Sequence, residues 1–484
     1  MIELSFKKII QICADQLQTL LTNHSKLDHI HVAYSGGMDS HILLLIAKQS
    51  IEELRSSPVF LDRTLSLSAI HINHQLNENS NQWQKHCEQV CADLQIPLLC
   101  EAVTISMEPG VSLEEQARVQ RYQVFEKHLT ASDLLLMAHH QDDQMETMLM
   151  RLLKGAGPTG LAGIPKQRAI SGSGDGPVNG PLLLRPLLDV SRKQLLELAT
   201  LNGLKWIEDP SNRSTKHDRN YLRHSVLPLL EQRWPGYRKT WSRTAGVFSE
   251  YAQLADQVAV EDYRSAAAPE LFQLRLLPLL ELDRFRQKNL IRLWLSQNEL
   301  NNPEHGWVET ILDEVATAVE DATPIFEANG WQVRRFNGLL HLLSVSQVAA
   351  LSSFDRSIQY EWDLQSSIMI SNVGVLSTES LSSADWLSMP ELAKLNQGLR
   401  QPNDERITVR FRQGGERCQP AGRSGSRPLK KLFNEHRIEP WLRDCMPLIY
   451  FDEELAAVPN CFVCESYQSP DQKLAVQLKW TASY

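Results

Sequence analysis

The sequence predicts an α/β protein. Its first 225 residues read as a doubly wound parallel sheet, followed by a helical middle domain over 226–345, a connector over 346–404 and a small α+β C-terminal domain over 405–484. Three observations carry this reading. Strand-like and helix-like runs alternate through the N-terminal part, which is the pattern of a parallel sheet covered by helices. A glycine turn joins the first strand candidate to the helix after it. Past Arg223 the alternation gives way to long stretches of helical periodicity, and after Arg406 to short runs rich in Arg, Lys, Gly and aromatics. A chain of 484 residues is long for one domain and suits two or three, each with its own core.

The opening stretch, MIELSFKKIIQICADQLQTLL, has apolar residues at helical spacing interrupted by Glu3, Lys7, Lys8 and Asp15. It lacks the unbroken apolar core of a signal peptide or a membrane span and predicts an amphipathic helix. Ile30 to Tyr34 is the first strand, with the turn and a helix from His41 to Lys48 behind it. Leu65 to Asn73 is the second strand, Asn81 to Leu94 a helix, Ile96 to Ile105 the third strand, and Ser112 to Leu129 a helix carrying Arg118 and Tyr122. Leu134 to Ala138 is a short buried strand that ends in His139-His140. In such sheets ligands bind beyond the carboxyl ends of the strands. Three of these four strands end in polar clusters, Ser35 to Ser40, His71 to His74 and His139 to Asp143, and the expected topology puts all three on one rim.

Ser35-Gly36-Gly37-Met38-Asp39-Ser40 is the most telling turn. Two glycines between a strand and a helix let backbone N–H groups face an anion, and the helix adds its positive end. No Lys follows the glycines, so it is not the GxxxxGK[ST] loop, and the third glycine of a dinucleotide fingerprint is missing. The hexapeptide resembles the pyrophosphate loop of ATP pyrophosphatases, which cleave ATP to AMP and pyrophosphate. The second cluster, His139 to Thr147, opens the next helix. Asp142, Asp143 and Glu146 crowd one turn of it and repel one another. Either the positive end of the helix or a bound cation, Mg²⁺ or an amine, would compensate. The two histidines lack HExxH spacing, so a zinc set is not indicated.

Net charge is −9, yet Arg406 to Arg443 holds ten Lys and Arg against three acids, an excess of seven positive charges. Local clustering is what phosphate binding requires. The eight cysteines are scattered, which suits free thiols in a reducing cytoplasm. Cys461 and Cys464 make one CxxC with no second pair, and read as two thiols rather than a zinc or redox set. The Gly- and Ser-rich stretch from Ser171 to Gly176 reads as a surface loop, since no strand and helix frame it.

Several motifs then occur in one order. They are the SGGMDS turn, HINHQL from His71, AHHQDDQMET from Ala138, RLLKGAGPTGL from Arg151, Arg185-Pro186-Leu187-Leu188, Ser191-Arg192, Trp206 to Asn212, and Arg219-Asn220-Tyr221-Leu222-Arg223. Together they resemble the tRNA(Ile)-lysidine synthetases, which have an adenine nucleotide α-hydrolase-like catalytic domain. The likeness spans nearly all of the catalytic region and returns in the basic C-terminal segment. The resemblance implies that ATP adenylates the C2 carbonyl oxygen of the wobble cytidine in the CAU-anticodon isoleucine tRNA. The side-chain amine of L-lysine then displaces AMP, giving lysidine and changing decoding from AUG to AUA. It implies ATP binding by Ser35, Gly36, Gly37, Met38, Asp39, Ser40, His71 and Arg118, with Asp39 on Mg²⁺. It implies that Asp143 and Glu146 hold the lysine ammonium and help deprotonate it, and that Asp39, Asp143 and Glu146 are the catalytic acids. Lys154, Arg192, Arg219 and Arg223, then Arg410, Arg412, Arg417, Arg423, Lys430, Lys431 and Arg443, are the implied tRNA contacts. The partners are therefore that tRNA, L-lysine and ATP, with no membrane, in the cytoplasm, and a homodimer is left open.

Two positions depart from the family pattern. Asn77 stands where many relatives have Arg, and Lys154 where Arg is frequent. Three rivals are weaker. A tRNA thiolase would want cysteines beside the ATP loop, and Cys87, Cys91 and Cys100 form no CxxC. An amidating synthetase would bring a glutamine-hydrolysing nucleophile motif, which is not apparent. A decayed, merely tRNA-binding chain would be expected to lose Asp39, Asp143 or Glu146, and all three are present.

Overall fold

The computed structural model describes residues 2–76, 78–105, 113–170, 180–209, 214–215, 217–298, 300, 303, 305–319, 322, 324–371, 373–379, 398–469 and 475–482. Asn77, the 171–176 loop and the 210–212 part of the Trp206 motif lie outside them. The chain divides into two compact units, Met1–Ala255 and Asp256–Tyr484.

The first unit is built on a six-stranded sheet. In chain order its elements are α1 (Ile2–Asn23), β1 (His29–Ala33), α2 (Met38–Arg55), β2 (Ser66–Asn73), α3 (Ser80–Asp93), β3 (Leu98–Ala102), α4 (Leu113–His128), β4 (Asp133–Leu136) and α5 (Gln141–Leu153). Then come α6 (Pro158–Leu161), β5 (Gln167–Ala169), β6 (Leu182–Leu184), α7 (Arg192–Leu201), α8 (Asp218–Tyr221), α9 (Leu227–Arg233) and α10 (Tyr237–Ala266). The strand order is β3-β2-β1-β4-β6-β5. All neighbours run parallel except β5, which pairs antiparallel with β6 at the edge. The sheet is covered on both faces, and alternate residues of the strands divide between two cores. Ile30, Val32, Ala69, Leu134, Leu136 and Leu184 pack with α1, α2, α3 and α7. Ile70, Leu135 and Leu183 face the other way, against Phe125 and Leu129 after β3. Chain order reverses direction across the sheet between β1 and β4, and at such a switch point the loops after the strands diverge and leave a crevice.

The second unit begins with β7 (Gln273–Arg275), α11 (Leu276–Glu281), α12 (Arg284–Gln297), α13 (His305–Thr310), β8 (Ile325–Ala328), β9 (Trp331–Phe336) and β10 (Leu339–Ser344). The expected helices are present, and they pack, around a fully buried Trp294, on a four-stranded antiparallel sheet in the order β7-β10-β9-β8. Those strands give little period-2 signal, because β10, LLHLLS, is buried at four consecutive positions. The unit continues with α14 (Val345–Ser352), β11 (Tyr360–Glu361), β12 (Ile368–Ile370), β13 (Gly374–Glu379), β14 (Ile407–Arg410), β15 (Arg417–Cys418), β16 (Arg427–Pro428), α15 (Leu429–Glu435), β17 (Leu448–Phe451), β18 (Glu454–Val458), β19 (Phe462–Val463) and β20 (Gln477–Ala482). β11 pairs with β14, and β13 with β20. Trp362, Leu364, Ile370 and Leu376 join the same core as Phe411, Phe433 and Phe451. The stretch expected to connect two domains thus supplies strands and core residues to the one that follows.

All eight cysteines are free thiols, seven of them buried and Cys100 half-buried. Among the described residues no helix is long and apolar enough to cross a membrane.

Candidate active site

Parallel pairing carries the carboxyl ends of β1, β2, β4 and β6 to one edge of the sheet. Tyr34 N donates to Ile70 O at 2.8 Å, and Met137 N to Leu184 O at 3.0 Å. The expected rim therefore exists, and it bears Ser35–Ser40, His71–His74, His139–Asp143 and, unforeseen, Arg185.

The loop after β1 is tightly made. Gly36 has φ +82°, and Gly37 precedes the first residue of α2 as its N-cap. A Cβ on Gly36 would lie 2.6 Å from Ile207 Cδ1 and 2.9 Å from Cys87 Sγ. Ile207 N donates to Gly36 O at 3.0 Å, so the Trp206 motif is strapped to the loop. Ser35 and Ser40 meet at 3.0 Å between their hydroxyls, and Ser40 Oγ donates to Gly37 O at 3.0 Å. Met38 is buried at the start of α2. His71 is buried, with Nδ1 2.9 Å from Tyr34 O, and burial lowers its pKa. It braces the end of β1. Asp39 Oδ1 is buried and has no hydrogen-bond partner among the described residues, while Oδ2 stands 3.6 Å from His140 Nε2.

His140 joins this loop to the acids. It is the N-cap of α5, its Nδ1 accepting from Asp142 N at 3.2 Å and Asp143 N at 3.4 Å, and its own N–H donating to Asp143 Oδ2 at 2.9 Å. Its Nε2 lies 3.4 Å from Asp143 Oδ2. Burial disfavours its charge, but Asp39, Asp143 and Asp142 outweigh burial and raise its pKa above the ordinary histidine value. His139 differs: burial pushes its pKa down to about 3, so it is neutral. Its Nδ1 accepts from Arg185 Nε at 3.2 Å.

The crowded carboxylates are compensated by guanidinium groups. Glu146, fully buried, receives Arg219 Nε at 2.7 Å and Arg223 Nε at 2.6 Å. Asp143 Oδ1 receives Arg219 Nη2 at 2.7 Å. Burial raises the Asp143 pKa, but His140 and Arg219 outweigh it and hold the carboxyl below the usual range. Asp142 faces elsewhere, accepting Arg238 Nε at 2.8 Å and the Arg192 backbone N–H, the first of α7, at 2.8 Å. The sequence reading weighed the helix end against a bound cation, and the structure adds a third compensation that it did not name. Its signal was present as two arginines at i and i+4, facing two acids at i and i+3. The structure places Arg219 and Arg223 on the acids, where the sequence reading had them meet tRNA.

The other residues named from the sequence are dispersed. Arg118 is mostly exposed, 3.7 Å from Glu115 and 5.9 Å from the Tyr122 ring centre. Lys154 is exposed at the C-cap of α5, where the neighbouring Arg151 pins Gly160 O and Gly163 O. In the C-terminal segment the charge excess is smaller than the window suggests, because acids beyond it fold back. Arg410 forms a two-pronged pair with Glu453 at 2.7 and 2.9 Å, and Arg412 pairs with Asp444 at 3.0 Å. Arg423 pairs with Glu435, and Arg443 Nε donates to Ile438 O at 2.9 Å. Arg417 is exposed and donates to Ser426 O at 2.9 Å. Lys430 and Lys431, on α15, are exposed, and neither forms an ion pair among the described residues.

Comparison with known proteins agrees with this architecture. A PP-loop domain matches residues 9–230, a TilS substrate binding domain residues 274–341 and a TilS substrate C-terminal domain residues 407–480. The tRNA(Ile)-lysidine synthase of Coxiella burnetii is 37% identical over 95% of this chain and 94% of its own. Those of Serratia proteamaculans and Escherichia coli O157:H7 are 35% and 34% identical, over 93% and 92% of this chain and 95% and 96% of theirs. With its parallel sheet, its glycine loop at the switch point and this likeness over nearly its whole length, the chain belongs to the tRNA(Ile)-lysidine synthase family, enzymes of the PP-loop ATP pyrophosphatase class.

Proposed function

We propose that this chain joins L-lysine to C2 of the wobble cytidine of a CAU-anticodon isoleucine tRNA, through an adenylated cytidine, with release of pyrophosphate and AMP. The observation that carries this reading is the short chain Asp39–His140–Asp143, which ties the phosphate-binding loop to the acids one strand away. A cytosine carbonyl is a poor electrophile, and esterifying its oxygen with AMP supplies a leaving group. The activating and accepting halves of the reaction must therefore be adjacent, and the His140 bridge makes them so.

In this reading the N–H groups of the loop and the hydroxyls of Ser35 and Ser40 hold the ATP phosphates. The buried Oδ1 of Asp39, without a hydrogen-bond partner among the described residues, would be the residue to hold Mg²⁺ beside the phosphates. Bound there, Mg²⁺ would neutralise phosphate charge as pyrophosphate leaves. Asp143, held below the usual carboxylate range, suits holding the lysine ammonium better than taking its proton. The guanidinium groups of Arg219 and Arg223 hold the carboxylates of Asp143 and Glu146 in place by hydrogen bonds. Lys430, Lys431 and Arg417 are the C-terminal cations best placed by exposure to meet tRNA phosphate.

The test is transfer of radiolabelled L-lysine to unmodified CAU-anticodon isoleucine tRNA with ATP and Mg²⁺, comparing the wild type with Asp143→Asn. ATP-dependent transfer that the variant loses is the expected result. Pyrophosphate release stimulated by tRNA, without lysine transfer by the wild type, would overturn the choice of acceptor.

A further inference from the structure

One strand beyond the acids, at the carboxyl end of β6, lies a pair of arginines that no acid among the described residues pairs with. Arg185 is 4% exposed. Its Nε donates to neutral His139 at 3.2 Å and its Nη1 to Pro165 O at 2.6 Å, and it also reaches the Tyr122 hydroxyl. Arg168, from β5, lies with its guanidinium carbon 4.7 Å from the Tyr122 ring centre, and its buried Nε has no hydrogen-bond partner among the described residues. Arg118 approaches the same ring from the exposed side. No carboxylate among the described residues pairs with Arg168 or Arg185. A buried cation is ordinarily paired, and leaving it unpaired is costly. The local field is felt by its neighbours. Burial raises the Tyr122 pKa, but Arg168 and Arg185 outweigh it and bring it below the ordinary tyrosine value, and burial lowers that of Arg185 to about 10.

We infer that Arg168 and Arg185, around Tyr122, form an oxyanion site that receives the α-carboxylate of the amino-acid substrate. The inference rests on the lysine-joining reading above. Three observations favour a carboxylate over a phosphate. The ATP phosphates belong to the loop after β1, on the far side of β4. At 4% exposure Arg185 is reachable by a small terminal group and not by a phosphodiester backbone. Finally, His139 accepts from Arg185 and also feels the charge of Asp143, so a cation and an acid neighbour the same side chain. A substrate that carries a carboxylate at one end and an ammonium at the other suits such a pair of opposite charges. The planar guanidinium of Arg168 suits a two-pronged carboxylate contact. Arg168 and Arg185 are thus positioning residues that select an α-amino acid over a simple diamine.

The test compares L-lysine with cadaverine, which keeps the reacting amine and lacks the carboxylate, in the complete tRNA assay. Cadaverine is scored as alternative substrate or as competitor. Arg168→Gln, at a half-buried position, is the main variant, and Arg185→Lys a second. In Arg168→Gln the KM for L-lysine is expected to rise about tenfold or more, with the cadaverine constant, the KM for ATP and the Kd for tRNA within about twofold of wild type. An equal rise for cadaverine, an unchanged KM for L-lysine, or a loss confined to tRNA affinity would each overturn the site. Absence of lysine transfer by the wild type would instead overturn the reading on which it rests.

Discussion

Gly36 is a position where one methyl group decides the outcome. Its φ of +82° and the 2.6 Å separation from Ile207 that a Cβ would have leave no room for a side chain. Gly36→Ala should cost about 1–3 kcal/mol of stability through strain and displacement of the Trp206 strap. It should also raise the KM for ATP, since the same turn aims the N–H groups at phosphate. Thermal unfolding and an ATP titration check both, and an unchanged Tm would refute the packing argument. At this scale the sequence was most legible where chemistry dictates residue type, as in Ser35–Ser40 and the acids of α5. It was least legible for Arg185, Arg168 and Arg238, because an arginine looks the same whether it faces solvent, an acid 96 residues away or no acid at all.

At the scale of the element, α5 and α15 show how one kind of residue takes two roles. The first turn of α5 carries acids that bind inward to arginines from α8 and from the turn after it. The face of α15 carries Lys430 and Lys431 outward, while Arg410 on β14 is bound to Glu453 and stacked 4.7 Å from the Tyr450 ring centre. The cations of the basic segment should therefore separate into two classes. Lys430→Ala with Lys431→Ala should weaken tRNA binding and reduce the steepness of its salt dependence by about two units, leaving the fold intact. Arg410→Ala should instead lower Tm with little change in the salt slope. Filter binding across salt concentrations and thermal unfolding distinguish them, and a common effect of both on the slope would undo the division. Four of the six strands of the first sheet could be read from sequence to within a few residues, since β1 to β4 are largely apolar runs bounded by polar turns, whereas β5 and β6, at three residues each, are too short to show a period and were not read. The four strands after Phe272 could not, because strands buried on both faces, or half-exposed throughout, lose the alternation that marks them.

For the whole molecule, acid should act on both units at once. Burial lowers the pKa of His74 to about 4 and of His139 to about 3 in the first unit, and of His341 to about 4 in the second. Unfolded histidines bind a proton near pH 6.5, whereas these bind it only at the lower values. The unfolded state therefore holds more protons between about pH 4 and 6.5, and stability falls as pH drops through that window. Each such histidine contributes a slope of up to about 1.4 kcal/mol per pH unit. His341→Phe, which keeps a ring against Trp441, should flatten the loss measured by urea unfolding between pH 7 and pH 5. The same loss in variant and wild type would show that His341 is not among the groups responsible. The change of periodicity past Arg223 falls inside the first compact unit, which runs on through α9 to Ala255. How the stretch after Ser344 joins its neighbour was not visible in the sequence, since pairing of β13 with β20 is a contact across about a hundred residues and leaves no local trace.

The burial of seven thiols has a consequence for ageing rather than catalysis. A thiolate is the form that oxidants attack, and burial raises the pKa of Cys13, Cys87, Cys91, Cys445 and Cys461 to about 12. While a unit stays closed, these five thiols are chemically silent. Oxidation of them is then confined to copies that have already come open, so damage at these positions marks the misfolded members of a population and spares its working ones.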